Sequence, residues 1–368
     1  MLLLDRSRFP RDKPCGGALS GRAVRLLPFS VEPVVEDVFD HFELRLRYGP
    51  RFRTPTASPP AVLTQRRRLD AFLVEQAVAA GADFREGVRV TQVEVDDGGA
   101  TLEVDGRPVR ADAVIAADGA NGVAARSLGL GVKSDYGVAL EGNLPYEELD
   151  DRRYRGCVVL EIGTVPGGYG WIFPKGEHVN IGVWGWECEG PKLREHLDRL
   201  CREHGSSAKR LRDVRGHRLP MARPHASALA RGRGLAVGDA AGLVDPVSGD
   251  GMYEAFVSAR LASEAVADLL AGRVAGLEGY DAQVKRQLAQ SLSTSAAAQI
   301  VLDRFPRLIF ALVRVPAVRR AVEGVFRGDS HRSGTKQLLH AGLTVLAAAP
   351  RRGVAAGNGV VAPSAAKA

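Results

Sequence analysis

Two kinds of apolar pattern alternate along the chain and predict two kinds of strand. The opening "MLLLD" and the later "ADAVIAADG" and "GLAVGD" are short apolar runs, as in buried strands, and glycine turns follow the latter two. Segments such as "DHFELRLRYGPRF" (40–52) alternate apolar and polar residues, which predicts half-exposed strands. This alternation favours a nucleotide-binding α/β domain interleaved with an antiparallel sheet.

Apolar residues recur at helical spacing in other segments. The first helix is predicted over 64–80, with Thr64 as its candidate cap and Gly81 ending it. Others are predicted near 191–204, after the glycine-rich stretch 238–251, and over 280–350, where the pattern is basic and amphipathic. Residues 88–106 predict a hairpin with a glycine-rich turn.

Composition and charge narrow the class of protein. Apolar residues make up 45% of the 368 residues and charged residues 25%, as in a globular protein with a sizeable core. The net charge of +7 is modest and aromatic residues are only 6%, so nucleic acid is not an expected partner. The four cysteines form no C-x-x-C pair and no histidine cluster accompanies them, so neither a metal site nor a disulfide framework is expected.

Positive charge collects late in the chain, over 304–352, in and after the segment "RFPRLIFALVRVPAVRRAVEGVFRG". One interpretation is a helical cap with a solvated basic face; the other is a contact in the plane of an anionic membrane. The opening is too short for a signal peptide, and "LLHAGLTVLAAAP" is shorter than the ~20 residues that cross a bilayer. We expect a cytoplasmic protein, with peripheral contact at the inner face of the plasma membrane left open.

The stretch "GLAVGDAAGLVDPVSGDGMYEAF" has the pattern of a cofactor loop. An apolar strand leads to Gly238 and Asp239, and Gly249 and Gly251 precede a helix. Glycines let backbone N–H groups approach a ligand, and a helix N-terminus favours negative charge there. Asp239 can accept hydrogen bonds from ribityl or ribose hydroxyls. The alternative is an ordinary glycine-rich loop with Asp239 as a helix cap.

Four stretches resemble known flavoproteins. "GDAAGLVDPVSGDGM" resembles the third flavin motif of FAD-dependent reductases and hydroxylases built like p-hydroxybenzoate hydroxylase, and "VIAADGANGVAARSLGL" resembles their Asp-Gly motif. "FPRDKPCGGALS" and "GYGWIFPKGEHVNIGV" resemble, more narrowly, the geranylgeranyl reductase family. The resemblance covers nearly the whole chain and implies FAD as the cofactor.

Pattern and resemblance together predict an α/β fold of α+β composite type. It comprises a Rossmann-like FAD-binding domain interleaved with an antiparallel β-sheet substrate domain, followed by C-terminal helices. The expected boundaries are 1–35, 63–131 and 223–275 for the FAD-binding domain, 36–62 and 132–222 for the substrate sheet, 276–352 for the helical region and 353–368 for a disordered tail.

The resemblance also implies a set of cofactor contacts. Asp5 holds the adenosine ribose hydroxyls, and Asp239 binds ribityl or phosphate oxygens. Arg66 contacts the cofactor from the start of a helix, with the neighbouring Arg67 and Arg68 left open for that role. The remaining implied contacts are Cys15, Gly16 and Gly17 along the flavin, Ala117, Asp118 and Gly119 near the diphosphate, Gly238 and Gly249 in the third motif, and Gly251 and Met252 at the pyrimidine edge. A helix N-terminus at that edge stabilises the negative charge that develops on flavin reduction.

Two sets of side chains are candidates for the chemistry. Cys15 occupies the active-site cysteine position of the resembling family, and nearby positive charge is expected to favour its thiolate. Its role is either catalytic or substrate-gating, or it is only a small packed residue. Tyr169, Trp171 and Phe173 alternate along "YGWIFP", so they are expected on one face of a strand, where they either line an apolar pocket or pack in the core.

The resemblance implies a reductase that saturates carbon–carbon double bonds of a polyprenyl chain. Candidate substrates are geranylgeranyl diphosphate, prenylated lipids and the isoprenoid tail of menaquinone, and the electron donor is open between NADPH and ferredoxin. Such a site is expected to be dry, apolar and poor in ionisable groups. Two alternatives stand beside it: a flavin monooxygenase or halogenase on the same fold, and a polypeptide that binds lipid or a partner but holds no flavin.

The opening stretch generates one prediction. A dinucleotide-binding fold begins with a strand, a G-x-G-x-x-G turn and a helix, and its ribose-binding acid follows about 20 residues after the glycines. Asp5 has no such turn before it, so we expect the chain to begin on the second strand, either because the true start lies upstream of Met1 or because it is a fragment.

The chain as given is therefore expected to bind FAD weakly and to aggregate through unpaired strand edges. An in-frame upstream extension carrying G-x-G-x-x-G should restore both flavin content and solubility. The flavin absorbance of the purified protein measures this, and stoichiometric FAD on the 368-residue chain would contradict it.

Overall fold

Strand pairing divides the chain into several sheets in the computed structural model, which describes residues 1–56, 58–130, 135–149, 151–222, 228–328, 342–344 and 346–347. The strands of these residues are, in chain order, β1 (Leu2–Asp5), β2 (Ala18–Ser20), β3 (Val35–Val38), β4 (His41–Leu46), β5 (Arg51–Pro55), β6 (Ala61–Thr64), β7 (Asp83–Glu86), β8 (Val90–Asp96), β9 (Gly99–Val104), β10 (Arg107–Ala111), β11 (Val114–Ala116), β12 (Tyr136–Pro145), β13 (Cys157–Ile162), β14 (Tyr169–Pro174), β15 (His178–Trp186), β16 (Arg212–Pro220), β17 (Ala230–Arg231) and β18 (Gly234–Ala236). Their helices are α1 (Gly21–Val24), α2 (Arg66–Ala79), α3 (Ala124–Ser127), α4 (Asp151–Tyr154), α5 (Leu193–Glu203), α6 (Met252–Leu270), α7 (Gly279–Arg304), α8 (Pro306–Val313) and α9 (Pro316–Arg327).

The largest sheet has the strand order β16-β12-β15-β14-β13-β4-β5 and is antiparallel except where β13 runs parallel to β4. Smaller sheets have the orders β10-β9-β8, β11-β18-β17 and β2-β6-β3, and β1 pairs in parallel with β7. The composite α/β fold is thereby confirmed, with parallel pairs in the segments expected to bind the nucleotide and a mostly antiparallel sheet between them.

The two faces of the large sheet pack against different helices, because successive side chains of a strand point to opposite faces. One face packs against α5 through Leu197 and Leu200. The other carries Leu160 and Tyr169 and packs against Phe310 of α8. The site described below lies on this second face.

The parallel pair β11–β18 positions two of the predicted cofactor loops. Ala116 lies beside Ala236 in register, and the Val237 N–H donates to the Ala116 carbonyl oxygen at 3.0 Å. Because the strands are parallel, the loops that follow them leave from the same edge of the sheet. Tyr280 of α7 fixes this edge from behind, since its hydroxyl donates to the Ala236 carbonyl oxygen at 3.0 Å.

Two strands differ in burial from the sequence expectation. β1 is half-exposed rather than buried, with Leu2 at 39% exposure, because among the described residues it pairs with β7 alone. β4 is buried rather than half-exposed, because it pairs on both sides. Its polar Arg45 is buried too, with its guanidinium 3.0 Å from His204 Nε2 and 3.5 Å from Glu161 Oε2.

Helix boundaries also differ in part. α2 begins at Arg66 and Thr64 does not cap it: Thr64 ends β6, and its hydroxyl donates to the Gly17 carbonyl oxygen at 3.2 Å. Pro306 and Pro316 do not merely interrupt the late helices but begin α8 and α9, where a residue without an N–H and with a helical φ is favoured.

Three further sequence expectations concern a hairpin, membrane-spanning helices and the C-terminal tail. The hairpin predicted over 88–106 is confirmed, and β10 extends it to three strands. None of the helices in the described ranges is both long enough and apolar enough to span a bilayer. The tail predicted to be disordered over 353–368 lies outside the described residues.

Gly182→Ala tests the close packing of the central strands. Gly182 pairs with Trp171 across β14 and β15, and an added Cβ would overlap the Trp171 indole. Overpacking of this kind costs about 1–3 kcal/mol, so we expect a lower urea midpoint and altered tryptophan fluorescence. Gly279→Ala, where no atom lies within 4 Å of an added Cβ, is the matched control and should unfold like the unmodified protein. Equal midpoints for the two variants would contradict this packing.

Candidate functional site

A glycine turn at residues 15–17 meets the aromatic face of β14. An added Cβ on Gly16 would lie 3.0 Å from the Phe173 ring and 3.3 Å from Trp171 Nε1. Gly17 has a φ of +69° and packs against the Thr64 carbonyl oxygen, so only glycine fits there. The Gly17 N–H donates to Cys15 Sγ at 3.3 Å, which fixes the thiol. Gly16, one of the three turn residues predicted along the flavin, therefore packs against residues predicted to line the substrate pocket.

The aromatic side chains of β14 form a continuous row. The ring centroids of Tyr169 and Trp171 are 6.3 Å apart, those of Trp171 and Phe173 are 6.4 Å apart, and Trp184 adds a ring 5.6 Å from Tyr169. The Tyr169 hydroxyl donates to the carbonyl oxygen of Ser248, in the loop before α6. The shared face is as expected from the alternation; the role of these residues in lining the pocket stays a prediction.

Two buried ionisable side chains hold the same turn, and sequence reasoning missed both. Lys175, 2% exposed, donates through Nζ to the Gly16 carbonyl oxygen at 2.6 Å and to the Thr64 carbonyl oxygen at 2.8 Å. Glu141, 8% exposed, accepts the Cys15 N–H at Oε1 at 2.7 Å. The expectation of a site poor in ionisable groups is therefore wrong. The available signals were a lysine directly after "YGWIFP" and a lone acid inside "YGVALEGNLP".

Burial dominates the protonation of these groups. It raises the pKa of Glu141 to about 7 and lowers the pKa of Lys175 to about 8, because a charged form is disfavoured away from water. Burial also raises the pKa of the Cys15 thiol, against the opposing charge of Arg66. The expected thiolate is therefore wrong: Cys15 is a neutral thiol at neutral pH, and Lys13 points to Asp239 Oδ2 at 3.1 Å instead.

A chain of ion pairs links two of the predicted cofactor segments, 1–35 and 63–131. The Arg66 guanidinium binds both oxygens of Asp70 at 2.6 and 2.7 Å, and Arg11 donates to the same carboxylate at 2.5 Å. Arg11 also reaches Asp5 Oδ2 at 3.8 Å. Of the arginines left open for the cofactor role, Arg66 lines a cleft together with Cys15, whereas Arg67 is exposed and Arg68 pairs with Glu36 at 2.6 Å.

Asp239 lies at the end of the β18 segment among donors suited to a phosphate or polyol. Lys13 is 3.1 Å and His217 Nε2 is 3.7 Å from its Oδ2, and an added Cβ on Gly251 would lie 2.9 Å from its Oδ1. Burial opposes ionisation here, but His217 and Lys13 hold the pKa of Asp239 below its usual value. The buried His217 Nε2 has no hydrogen-bond partner among the described residues, so an additional polar group fits there.

Other residues predicted to contact the cofactor form hydrogen bonds with residues close to them in sequence. The Met252 N–H donates to Asp250 Oδ1 at 2.9 Å, so this acid, rather than Asp239, occupies the N-terminus of α6 and takes up the donor expected at the pyrimidine edge. Asp118 Oδ2 accepts the Ala124 N–H at 2.8 Å and caps α3, while Ala117 is exposed. The cofactor roles of Ala117, Asp118, Gly119, Gly238 and Gly249 stay predictions, as do those of Gly251 and Asp5.

These features agree with comparisons to known proteins. The family described as "FAD binding domain" matches residues 32–295. The chain is 32% identical over 286 residues to the menaquinone reductase of Mycobacterium tuberculosis, covering 72% of this chain and 70% of that protein. It is 34% identical over 235 residues to the digeranylgeranylglycerophospholipid reductase of Methanoculleus marisnigri, covering 59% and 58%.

Solved structures share the fold. A geranylgeranyl bacteriochlorophyll reductase-like protein of Thermoplasma acidophilum has a TM-score of 0.72 at 22% identity, covering 82% of this chain and 81% of that chain. A flavin-dependent brominase has a TM-score of 0.69 at 16% identity, covering 93% and 91%. At these identities the likeness extends to the architecture alone.

Asp239→Asn tests the placement of the cofactor. The amide keeps the shape but removes the charge that attracts donors, and a hydrogen bond to a charged group contributes about 1.5–3 kcal/mol, so FAD affinity should fall at least about tenfold. Fluorescence titration with FAD measures this. Asp268→Asn is the matched control and should bind FAD like the unmodified protein. Asp268 lies on α6 and forms a solvent-exposed ion pair with Arg273. Equal affinities in all three proteins would contradict the assignment of Asp239.

Proposed function

The chain belongs to the FAD binding domain family, within the geranylgeranyl reductase group of FAD-dependent oxidoreductases, and we propose that it reduces carbon–carbon double bonds of a polyprenyl chain. The cofactor is FAD. The names of the relatives support the prenyl substrate class, and the geometry around residues 15–17 supports the place of reaction.

The observation that carries the proposal is the direct packing of Gly16 on Phe173 and Trp171. The turn that the family resemblance assigns to the flavin touches an aromatic surface, with no charged side chain of β14 itself between them. An apolar chain lying on that surface would have an alkene next to the turn. Aromatic rows favour apolar ligands because they remove large areas from water.

Bound FAD, when reduced, supplies a hydride to one alkene carbon. The chain's own residues serve the remaining half of the reaction. The Cys15 thiol, kept neutral because burial raises its pKa, can give a proton to the other carbon. The Gly17 N–H at 3.3 Å from Sγ stabilises the thiolate that this leaves behind. The rings of Trp171 and Phe173 exclude water from the same space.

We propose that an apolar path for the substrate continues from the turn along the sheet. Leu160 joins the cluster of Trp171 and Phe173 to the cluster of Phe310 and Leu302 under α8. Such a path suits a long isoprenoid and supports both a prenylated lipid and a prenyl diphosphate as the substrate class. The menaquinone tail is a third member of this class, as the name of the mycobacterial relative indicates.

We also propose a peripheral membrane contact through α8 and α9. Leu308, Val315 and Val322 are exposed by 36%, 46% and 36%, and exposed arginines such as Arg307 and Arg314 accompany them. Exposed apolar side chains among cations suit an anionic lipid surface, from which a prenylated lipid would reach the path under α8.

Anaerobic turnover tests the proposed reaction. Protein loaded with FAD and reduced by dithionite is incubated with geranylgeranyl diphosphate, a prenylated phospholipid or menaquinone, and the products are analysed by mass spectrometry. We expect a gain of about 2 mass units for each double bond reduced, because each takes up a hydride and a proton. In a parallel assay under air, oxygen-dependent hydroxylation or halogenation with no reduced product would favour the monooxygenase or halogenase whose fold this chain shares.

Cys15→Ser tests the thiol in the same assay. Backbone rather than sulfur is expected to contact the cofactor, so FAD affinity should be retained while the rate or extent of alkene reduction changes. Cys188→Ser, at an exposed cysteine, is the matched control. Turnover and products unchanged in Cys15→Ser would assign Cys15 to packing alone.

Vesicle sedimentation tests the membrane contact. Binding to anionic vesicles should weaken as salt rises, because screening shortens the reach of surface charge. Arg307→Glu combined with Arg314→Glu should reduce binding, and Arg85→Glu combined with Arg110→Glu, at exposed sites on β7 and β10, is the control with the same charge change. Equal binding to neutral and anionic vesicles would contradict an electrostatic contact.

A further inference from the structure

Glu141 lies where an uncharged acceptor would serve the fold as well. It lies in the middle of β12 and is 8% exposed, and its carboxylate accepts a hydrogen bond from the Cys15 N–H at 2.7 Å. A glutamine oxygen could accept the same hydrogen bond without the cost of burying an ionisable group. A buried carboxyl in contact with the residue proposed to donate a proton therefore points to a role in protonation.

Lys175 is a second buried ionisable group that binds the same turn. It is 2% exposed, and its ammonium binds the carbonyl oxygens of Gly16 and Thr64 at 2.6 and 2.8 Å. Two ionisable groups, one acidic and one basic, thus hold backbone groups of the consecutive residues Cys15 and Gly16, next to a single thiol. Because Lys175 is fixed by two carbonyls, its charge acts on Glu141 from a constant position.

The turn separates a polar cleft from the apolar face. On one side lie Trp171 and Phe173; on the other a cleft of about 30 Å³, room for about one water molecule, begins at Cys15 and Glu141. Its lining is almost entirely polar or charged and includes Lys175, Asn180, Asp213 and Arg215. Asp213 and Arg215 are exposed, so the cleft connects Glu141 to solvent.

We propose that Glu141 relays protons from this cleft to Cys15, a role that rests on the proposed reduction of an alkene. The thiol gives its proton to the alkene carbon that did not receive the hydride and becomes a thiolate. The protonated Glu141 carboxyl then gives its proton to the thiolate, directly or through one water molecule, and is left as a carboxylate. A proton from solvent in the cleft restores the carboxyl, and no further reductant or oxidant is required. Glu141 itself does not touch the substrate and acts only through Cys15.

Protonation equilibria agree with this sequence. Burial raises the pKa of Glu141 to about 7, so both its forms are present near neutral pH, as efficient proton transfer requires. The groups that face it from every neighbouring element are Cys15 and Asp12 in the turn and the loop before it, Lys175 directly after β14, His178 and Asn180 on β15, Arg215 and Asp213 on β16, and Lys13 and Arg66 across the cleft. Among them Lys175 opposes the effect of burial and Asp12 adds to it.

Glu141→Gln separates relay from simple positioning. Glutamine keeps the acceptor for the Cys15 N–H but carries no proton, so the relay predicts turnover reduced about 100-fold with unchanged FAD affinity. In the unmodified protein turnover should fall as pH rises through about 7, since the protonated carboxyl is the donor, and Glu141→Gln should lack this fall. Glu75→Gln, an exposed site on α2 with the same charge change, is the matched control.

Alkylation of Cys15 gives a second measure that needs neither substrate nor flavin. The pH dependence of its reaction with iodoacetamide, followed by peptide mass spectrometry, reports the thiol pKa, with exposed Cys188 as the internal reference. A carboxylate beside the thiol disfavours the thiolate, so Glu141→Gln should lower the pKa of Cys15. Lys175→Gln should raise it and should move the fall in turnover to higher pH, because the ammonium stabilises both anions.

The outcomes distinguish this relay from the proposed function. If the unmodified protein reduces no prenyl substrate, the proposed function fails, and the alkylation shift alone then decides whether Glu141 and Cys15 are coupled. If the protein turns over and Glu141→Gln matches it in rate, in pH profile or in the alkylation of Cys15, the relay is overturned. Near-ultraviolet circular dichroism establishes that each variant is folded, and Lys175→Gln provides an independent test should Glu141→Gln not fold.

Discussion

The site depends on the hydrogen bonds of the Lys175 ammonium, because they join three segments that are distant in sequence. From the residue after β14 it binds the carbonyl oxygens of Gly16, in the turn that follows β1, and of Thr64, at the end of β6. Burying an ammonium is costly, and only good hydrogen-bond geometry offsets that cost. The turn is thereby held against the aromatic row of β14, and the segment that leads into α2 and Arg66 is held beside it. The positions of Cys15, of the cleft and of the predicted cofactor arginine all follow from this contact.

The sequence was informative where a local rule decides the structure and silent where partners come from distant segments. The shared face of Tyr169, Trp171 and Phe173 and the helix after residue 251 follow from strand and helix periodicity, and each was predicted. Glu141 and Lys175 are single polar residues in strand patterns, and only the pairing of β12 with β15 and β14 with β15 brings them to the turn. The state of Cys15 was missed for the same reason, since burial cannot be read from Lys13 and Pro14 beside it.

Buried charged side chains have different partners on the two faces of the large sheet. On the face toward α5, Arg45 lies 3.5 Å from Glu161 and 3.0 Å from His204, and the Tyr154 hydroxyl lies 2.9 Å from the other nitrogen of that histidine. These charges are compensated within one network of side chains, as in a structural core. On the site face, Glu141 and Lys175 bind backbone groups of the turn instead. Within the part of the chain that the structure describes, neither charge is neutralised by an ion pair with the other face's network. A charge that forms at Cys15 therefore interacts directly with Glu141 and Lys175.

The parallel pairing of β13 with β4 determines when the large sheet can form during synthesis. His41 lies beside Cys157 and Leu46 beside Ile162, and the whole of the segment from β5 to β12 intervenes along the chain. A contact between such distant segments closes a long loop before it is rewarded by packing, so it forms late and slowly. The hairpin of β4 and β5 leaves the ribosome long before β13 does, and the β13-facing edge of β4 has no partner during that interval. Until β13 is made, this edge of β4 lacks the partner that it has in the folded protein, and an unpaired strand edge is prone to pair with other chains.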